Sequence, residues 1–188
     1  MANSFRNIQP KRLCTKEYTN YRTYKPFLAE DFNHRCGYTD CSDFWFGGVN
    51  TFHIDHFKPW KKNPDLKTTY SNLVYCCSYV NILKSDDEGK YLDPCNVDYN
   101  AHFERDSHGN IIPNNTSEEA KYMHSKLKLY LKRYQIIWKL DQLLESMKKL
   151  KNAITEPKNS SIQQDLKNLH YDVASELTDY IEYLRGNQ

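Results

Sequence analysis

Two apolar stripes at helical spacing in the C-terminal part of the chain constrain its fold more than any other feature. The first stripe comprises Leu127, Tyr130, Leu131, Tyr134, Ile137, Trp138, Leu144 and Met147. These positions lie on one side of a helix with 3.6 residues per turn. Thr116, followed three residues later by Glu119, predicts a capping box at the start of the helix. We therefore expect one long helix from this cap through Met147.

A second helix is predicted over residues 162–186, after the turn-forming segment TEPKNSS at 155–161. Its apolar stripe comprises Ile162, Leu166, Leu169, Val173, Leu177, Ile181 and Leu184. A short connection favours antiparallel neighbours, so the two helices should pack as a helical hairpin. We expect residues 1–115 to form N-terminal segments and a small core, and residues 116–188 to form a helical extension packed on that core.

Residues 32–115 have the pattern of short strands and loops. The runs FWF at 44–46 and VNTFHI at 49–54 flank two glycines, which predicts a two-stranded hairpin turning at Gly47 and Gly48. The segment SYVNILKSDDEGK at 78–90 predicts a short helix that ends near Gly89. The fold class is therefore α+β, a small hairpin and helix with long C-terminal helices.

Charge is distributed unevenly along the chain. Residues 1–35 contain 7 Lys and Arg against 3 Asp and Glu, and residues 121–151 contain 9 against 2, whereas residues 36–120 contain 7 against 13. Two basic segments around an acidic middle suit a polyanion held beside a metal site, but charge alone favours the alternative, in which the lysines form the solvated face of a helix. The sequence has no apolar run long enough for a secretory signal or a membrane span, so we expect a cytoplasmic protein without a membrane partner.

The segment HIDHFKPW at 53–60 places Asp55 and His56 next to each other. Adjacent strand residues point to opposite faces, so the two share a site only if the strand ends there, as Pro59 suggests. Aspartate is a hard oxygen ligand for Mg²⁺ or Mn²⁺, and histidine is a base with an ordinary pKa of about 6.5. Asn81 offers a second oxygen ligand one helical turn before Lys84, whose ammonium can meet a phosphate.

These residues resemble a known family. HIDHFKPW followed by YSNLVYCCSYVNILKSD at 70–86 resembles the signature of HNH (ββα-metal, or His-Me finger) endonucleases. The flanking segments YKPFLAEDFNHRCGYTDC and YLDPCNVDYNAHFERDSHGNIIP resemble the PtuB-type HNH nuclease subunit of bacterial Septu anti-phage defence systems. The resemblance covers roughly residues 20–135.

The resemblance implies a role for each matching residue. His56 would be the general base that activates water, and Asp55 and Asn81 would hold one Mg²⁺ or Mn²⁺ ion. Asn72, by its side chain or its backbone, would orient His56, and Lys84 would position phosphate. An ABC-type or SMC-like ATPase (PtuA-type) is the implied partner, with DNA as the expected substrate.

Other residues near the motif have two interpretations each. His53 is either a hydrogen-bonded structural residue or a further metal ligand. A basic loop follows His56 and contains Lys58, Trp60, Lys61 and Lys62. This loop either contacts nucleic acid or is a solvated surface loop.

The cysteines depart from the family pattern. Many HNH proteins hold a structural zinc ion with two cysteine pairs, but Val80 stands where the last cysteine is expected. The candidate ligands that remain are Cys36, Cys41 and Cys77, with Cys76 or Cys95 as the fourth. The alternative is a hairpin supported by aromatic packing from FWF and Tyr75.

Two further function classes remain open. A stand-alone restriction or mobile-element nuclease would have the same site and would cut DNA without help. A non-catalytic nucleic-acid-binding module would retain the basic residues without metal dependence.

Overall fold

The computed structural model describes residues 3–186, apart from the side chain of Lys158. The chain divides by its internal contacts into two compact units, Met1–Tyr134 and Gln135–Gln188. Small sheets combine with helices, which confirms the α+β class. No helix within this described part has the length and apolar character needed to cross a membrane.

Within residues 3–186, five short strands and five α-helices form the main secondary structure. The strands are β1 (Asn3–Ser4), β2 (Phe52–His56), β3 (Leu73–Cys77), β4 (Phe103–Arg105) and β5 (Ile111–Pro113). The helices are α1 (Lys25–Asp31), α2 (Ser78–Lys84), α3 (Glu118–Lys126), α4 (Lys132–Thr155) and α5 (Gln163–Leu184). Short 3₁₀ turns connect several of these elements.

An antiparallel hairpin of β2 and β3 leads directly into α2. Its register sets Ile54 opposite Tyr75 and His56 opposite Leu73. An isolated two-stranded hairpin is marginally stable, so its side chains must pack against neighbours. The Phe52 ring lies 4.8 Å from the Tyr75 ring and 5.5 Å from the Phe46 ring, between centroids. These contacts confirm the predicted aromatic support of the hairpin.

The predicted strand at 44–46 is wrong. Residues Asp43–Phe46 form a 3₁₀ turn, because the Ser42 side chain accepts a hydrogen bond from the Phe44 amide and starts it. Gly47 and Gly48 then adopt φ values of 98° and 82°, a region that few other residues reach without strain. The glycines therefore redirect the chain into β2, and the partner strand of β2 is β3.

The second sheet is three-stranded, in the order β1-β4-β5. Arg105 on β4 is fully buried, and its guanidinium donates to the carbonyls of Thr39 at 2.7 Å and Gly109 at 2.8 Å. Because these carbonyls are buried, the hydrogen bonds offset the cost of removing them from water. Arg105 thereby ties the sheet to the turn at residues 36–41, which contributes a side chain to the candidate site.

The C-terminal helices differ from the prediction at two points. The cap of α3 is Ser117, whose hydroxyl accepts from the Ala120 amide at 3.2 Å, so the predicted cap at Thr116 is one residue early. The expected single helix is interrupted after Lys126, where Lys128 adopts a φ of 50°, and α4 starts at Lys132.

The second predicted helix is confirmed as α5. A 3₁₀ turn over Pro157–Ile162 precedes it, where the sequence predicts a break. None of the residues Gln163–Leu184, all of which the structure describes, is buried.

Candidate active site

Asp55, His56 and Asn81 line one open cavity of about 370 Å³, which we call the central cavity. The first two stand at the end of β2, and the third lies on α2. Since β2 ends at His56, the two adjacent side chains can border the same cavity, as the sequence predicts. Tyr21, Trp60 and Asp86 also contribute to its wall.

The hydrogen bonding of His56 leaves one ring nitrogen available. Its Nε2 lies 2.8 Å from the carbonyl oxygen of Lys67. A carbonyl only accepts, so Nε2 carries the proton, and in the neutral ring Nδ1 is the unprotonated nitrogen. The ring of Tyr21 packs edge-on against the imidazole at 4.8 Å between centroids. His56 is therefore held in one tautomer with a basic nitrogen.

The environment of His56 favours its neutral form. Burial lowers its pKa, the hydrogen bond to the Lys67 carbonyl opposes this effect, and the positive charges of Lys84 and Lys67 lower the pKa further. A neutral imidazole near pH 7 is the form that a general base requires.

The side-chain hydrogen bonds of Asn72 go to the loop whose Lys67 carbonyl binds His56, and not to His56 itself. Its side-chain oxygen accepts from the Lys58 amide at 2.9 Å, and its side-chain nitrogen donates to the carbonyls of Lys58 at 3.0 Å and Leu66 at 3.3 Å. These bonds close the loop between β2 and β3 beside Lys67. Asn72 is thus a positioning residue for the carbonyl that orients His56.

Asp55 is buried at the base of the central cavity. Its Oδ2 accepts a hydrogen bond from the Tyr38 hydroxyl at 2.6 Å and lies 3.0 Å from Nζ of Lys84. Burial raises the pKa of Asp55, while the charge of Lys84 and the hydrogen bond from Tyr38 oppose the rise. Two donors therefore hold this carboxyl group in place and favour its ionised form.

The sequence predicts that Lys84 contacts a substrate phosphate, but in the structure its ammonium binds Asp55. Its side chain has no exposed surface, and Nζ donates to the His56 carbonyl at 2.8 Å as well as binding Asp55. A fully buried ammonium cannot reach a substrate in this arrangement. Its contribution is to fix the two adjacent residues at the end of β2.

Asn81 stands next to His53. The side-chain nitrogen of Asn81 lies 3.2 Å from Nδ1 of His53 and donates to it. Burial, followed by the nearby charge of Lys25, lowers the pKa of His53. The imidazole is therefore a neutral acceptor that orients the Asn81 amide, and the alternative role of His53 as a metal ligand stays a prediction.

Two side chains at the central cavity carry oxygen donors of the types that hard divalent ions bind, and both oxygens of Asp55 also bind Lys84, at 3.2 Å and 3.0 Å. Asp55 supplies a carboxylate and Asn81 an amide oxygen, both ligand types that Mg²⁺ and Mn²⁺ accept. The half-buried carboxylate of Asp86, which binds Lys61 at 2.8 Å, lies in the same wall. The described residues contain no group of three or more His, Cys, Asp or Glu side chains placed to hold a metal, so a bound ion would rely on the amide oxygen and on water.

The basic loop after His56 is exposed, and two of its lysines are paired with carboxylates. Lys61 binds Asp86 at 2.8 Å, and Lys62 lies 3.3 Å from Glu88. Exposed ion pairs of this kind contribute little and exchange readily, so the pairs leave these lysines available to phosphate. Lys58 is also exposed, and Trp60 retains 37% of its surface.

The cysteines form a pair rather than a complete zinc site. The sulfur atoms of Cys36 and Cys77 lie 3.9 Å apart, and both residues are buried. The thiol of Cys41 points instead to the Thr39 carbonyl at 3.8 Å. The amide of Cys95 is bonded to Asp93 at 2.9 Å. Two adjacent thiols are half of a tetrahedral set, so zinc binding stays a prediction.

Sequence reasoning missed two groups that hold the site together. Tyr38 lies between Cys36 and Cys41, and no spacing rule connects it to Asp55. The Lys67 carbonyl has no side-chain signature at all. The one signal for Tyr38 is Gly37, where an added Cβ would come within 2.8 Å of neighbouring side chains, which marks a closely packed turn.

Comparisons with protein-family models, with curated proteins and with solved structures found no significant match to this chain.

Proposed function

We propose that this protein is a metal-dependent HNH endonuclease that hydrolyses phosphodiester bonds, with DNA as its substrate. The observation that carries the proposal is the central cavity, which brings together Asp55, His56 and Asn81. In the proposed assignment, the hairpin of β2 and β3 with α2 is a ββα-metal core.

His56 acts as the general base. Its Nε2 is bound to the Lys67 carbonyl, so Nδ1 takes the proton from the attacking water. Tyr38 and Lys84 hold the Asp55 carboxylate, and His53 accepts a hydrogen bond from the Asn81 amide. Asp55 and Asn81 would hold the ion. A bound Mg²⁺ or Mn²⁺ would stabilise negative charge on the scissile phosphate and the departing 3′ oxygen. The product would carry a 5′ phosphate.

We further propose that the nuclease is the effector of a bacterial anti-phage defence complex, with an ABC-type or SMC-like ATPase as its partner. This part rests on the sequence resemblance alone. A stand-alone nuclease is the second candidate, because nothing about the central cavity requires a partner.

Metal dependence tests the proposal. Supercoiled plasmid is incubated with the protein and Mg²⁺ or Mn²⁺, and separately with a chelator, for wild type, Asn81→Ala and the control Asn168→Ala, an exposed residue of α5. We expect wild type and control to cut only with metal, and Asn81→Ala to lose most activity. Cleavage in chelator, or full activity of Asn81→Ala, would refute the assignment.

The same assay separates the function classes. Activity only after addition of an ATPase that co-purifies with the protein supports the defence complex, and equal activity without such an ATPase supports a stand-alone enzyme. Plasmid binding without cleavage under either condition, with metal present, indicates the non-catalytic module.

A further inference from the structure

A second cavity of about 350 Å³ adjoins the central cavity, and we call it the basic cavity. Tyr21, Ile54 and Asn81 border both cavities, so the two are contiguous. The basic cavity is completed by Arg22, Lys25, Phe52 and His53. Arg22 and Lys25 lie in the N-terminal segment, outside the motif at 53–86.

The two cavities differ in the sign of their charged residues. Among the residues that the structure describes, Arg22 and Lys25 line the basic cavity and no carboxylate does, whereas Asp55 and Asp86 line the central cavity. A cavity with cations and no acidic residue favours an anion. The adjoining cavity, with its carboxylates, favours a cation.

The two cations of the basic cavity are available to a ligand. The Arg22 side chain is exposed, and its contact within residues 3–186 is the Tyr21 ring, 5.9 Å from the guanidinium carbon. Nζ of Lys25 donates to the neutral carbonyl of Asn50 at 3.1 Å. Neither charge is compensated by a carboxylate in the described part of the chain, so a phosphate would gain charge-assisted hydrogen bonds from both.

We propose that the basic cavity binds a backbone phosphate of the nucleic-acid strand next to the scissile one. The inference rests on the proposed nuclease function, because the scissile phosphate itself is assigned to the central cavity. Asn81 borders both cavities, so a strand that passes it presents consecutive phosphates to the two. Phosphate contacts fix the register of a strand without reading its sequence, which would set the scissile bond opposite His56.

A binding experiment without cleavage tests this inference. Fluorescein-labelled duplex and single-stranded DNA oligonucleotides are titrated with the protein in chelator, over a series of salt concentrations, by fluorescence anisotropy. The variants are Arg22→Ala/Lys25→Ala, the charge-retaining Arg22→Lys/Lys25→Arg, and Lys148→Ala/Lys149→Ala, which removes the same charge from α4. Circular dichroism checks that all variants are folded.

We expect Arg22→Ala/Lys25→Ala to weaken binding on the order of tenfold. The slope of log affinity against log salt should fall by about one, as for one lost phosphate contact. The charge-retaining variant should keep the wild-type slope, and so should the control on α4.

Equal losses in the two charge-removing variants would overturn the inference, and so would a wild type that binds neither oligonucleotide. The plasmid assay is scored separately. If the protein cleaves plasmid with metal but Arg22→Ala/Lys25→Ala leaves oligonucleotide binding unchanged, the phosphate-binding role of the basic cavity is refuted and the nuclease assignment stands. Absence of cleavage in a protein that shows the predicted salt slope refutes the nuclease assignment instead.

Discussion

Replacing Lys84 by methionine should destabilise the protein strongly and in a pH-dependent way. Nζ of Lys84 lies 3.0 Å from Oδ2 of Asp55, and the two side chains are 0% and 5% exposed. Methionine fills similar volume but leaves the Asp55 carboxylate buried without its cation. Removing one partner of a buried ion pair costs about 3–5 kcal/mol, which is the loss in unfolding free energy that we expect near pH 7.

The pH dependence follows from the pKa of Asp55. Burial already raises this pKa above its usual 3.8 in the wild type, against the effect of Lys84. Without the ammonium the folded-state pKa rises further, so the folded variant keeps its proton where the unfolded chain has lost it. Stability then falls as pH rises from the unfolded pKa to the folded pKa. The penalty should therefore be smallest below pH 4 and largest near neutrality.

Urea denaturation followed by tryptophan fluorescence measures the effect at several pH values. Lys61→Met is the matched control, because it removes an exposed ion pair to Asp86 at 2.8 Å and should cost less than about 1 kcal/mol. Combining Lys84→Met with Asp55→Asn should recover part of the loss, since no buried charge is then left alone. A loss below about 1 kcal/mol that does not vary with pH would refute the reasoning.

Four further results are expected. Asn72→Ala should slow plasmid cleavage on the order of 100-fold, because the carbonyl that orients His56 loses its support; unchanged rates with unchanged oligonucleotide affinity would contradict this. The cleavage rate should fall only at pH values below the ordinary histidine pKa, because burial lowers the pKa of His56 and a general base must be neutral; a rate that already falls with decreasing pH above pH 7 would contradict this. Gly37→Ala should cost about 1–3 kcal/mol in urea unfolding, because its Cβ would lie 2.8 Å from two side chains; wild-type stability would count against this packing. Phe52→Ala should cost about 3–5 kcal/mol in urea unfolding, because its ring lies 4.8 Å from the Tyr75 ring and 5.5 Å from the Phe46 ring; a loss below about 1 kcal/mol would count against aromatic support of the hairpin.

The sequence predicts best those features that depend on local spacing. The apolar stripe of α5 and the short helix α2 are periodic, and Pro59 marks the end of β2 at the site. The strand at 44–46 fails because the Ser42 cap and two left-handed glycines outweigh the β propensity of FWF. The interruption at Lys128 has no glycine or proline to signal it.

The groups that hold Asp55 and His56 in place cannot be predicted from local sequence spacing, because they are distant in the chain or belong to the backbone. Tyr38 follows the closely packed Gly37, and its hydroxyl donates to Asp55 at 2.6 Å, a pairing that exists only in the folded chain. The helical spacing places Lys84 near Asn81 but does not reveal that its ammonium is buried against Asp55. The orienting acceptor of His56 is a backbone carbonyl, which every residue has.

Cleavage by His56→Ala tests the central claim most directly. Supercoiled plasmid is incubated with Mn²⁺ and equal amounts of folded wild type or variant, each with and without any ATPase that co-purifies with it, and the rate of strand scission is measured. The account predicts metal-dependent scission by the wild type and a loss of at least about 100-fold in the variant, as expected for the removal of a general base. Equal rates for the two proteins would contradict it.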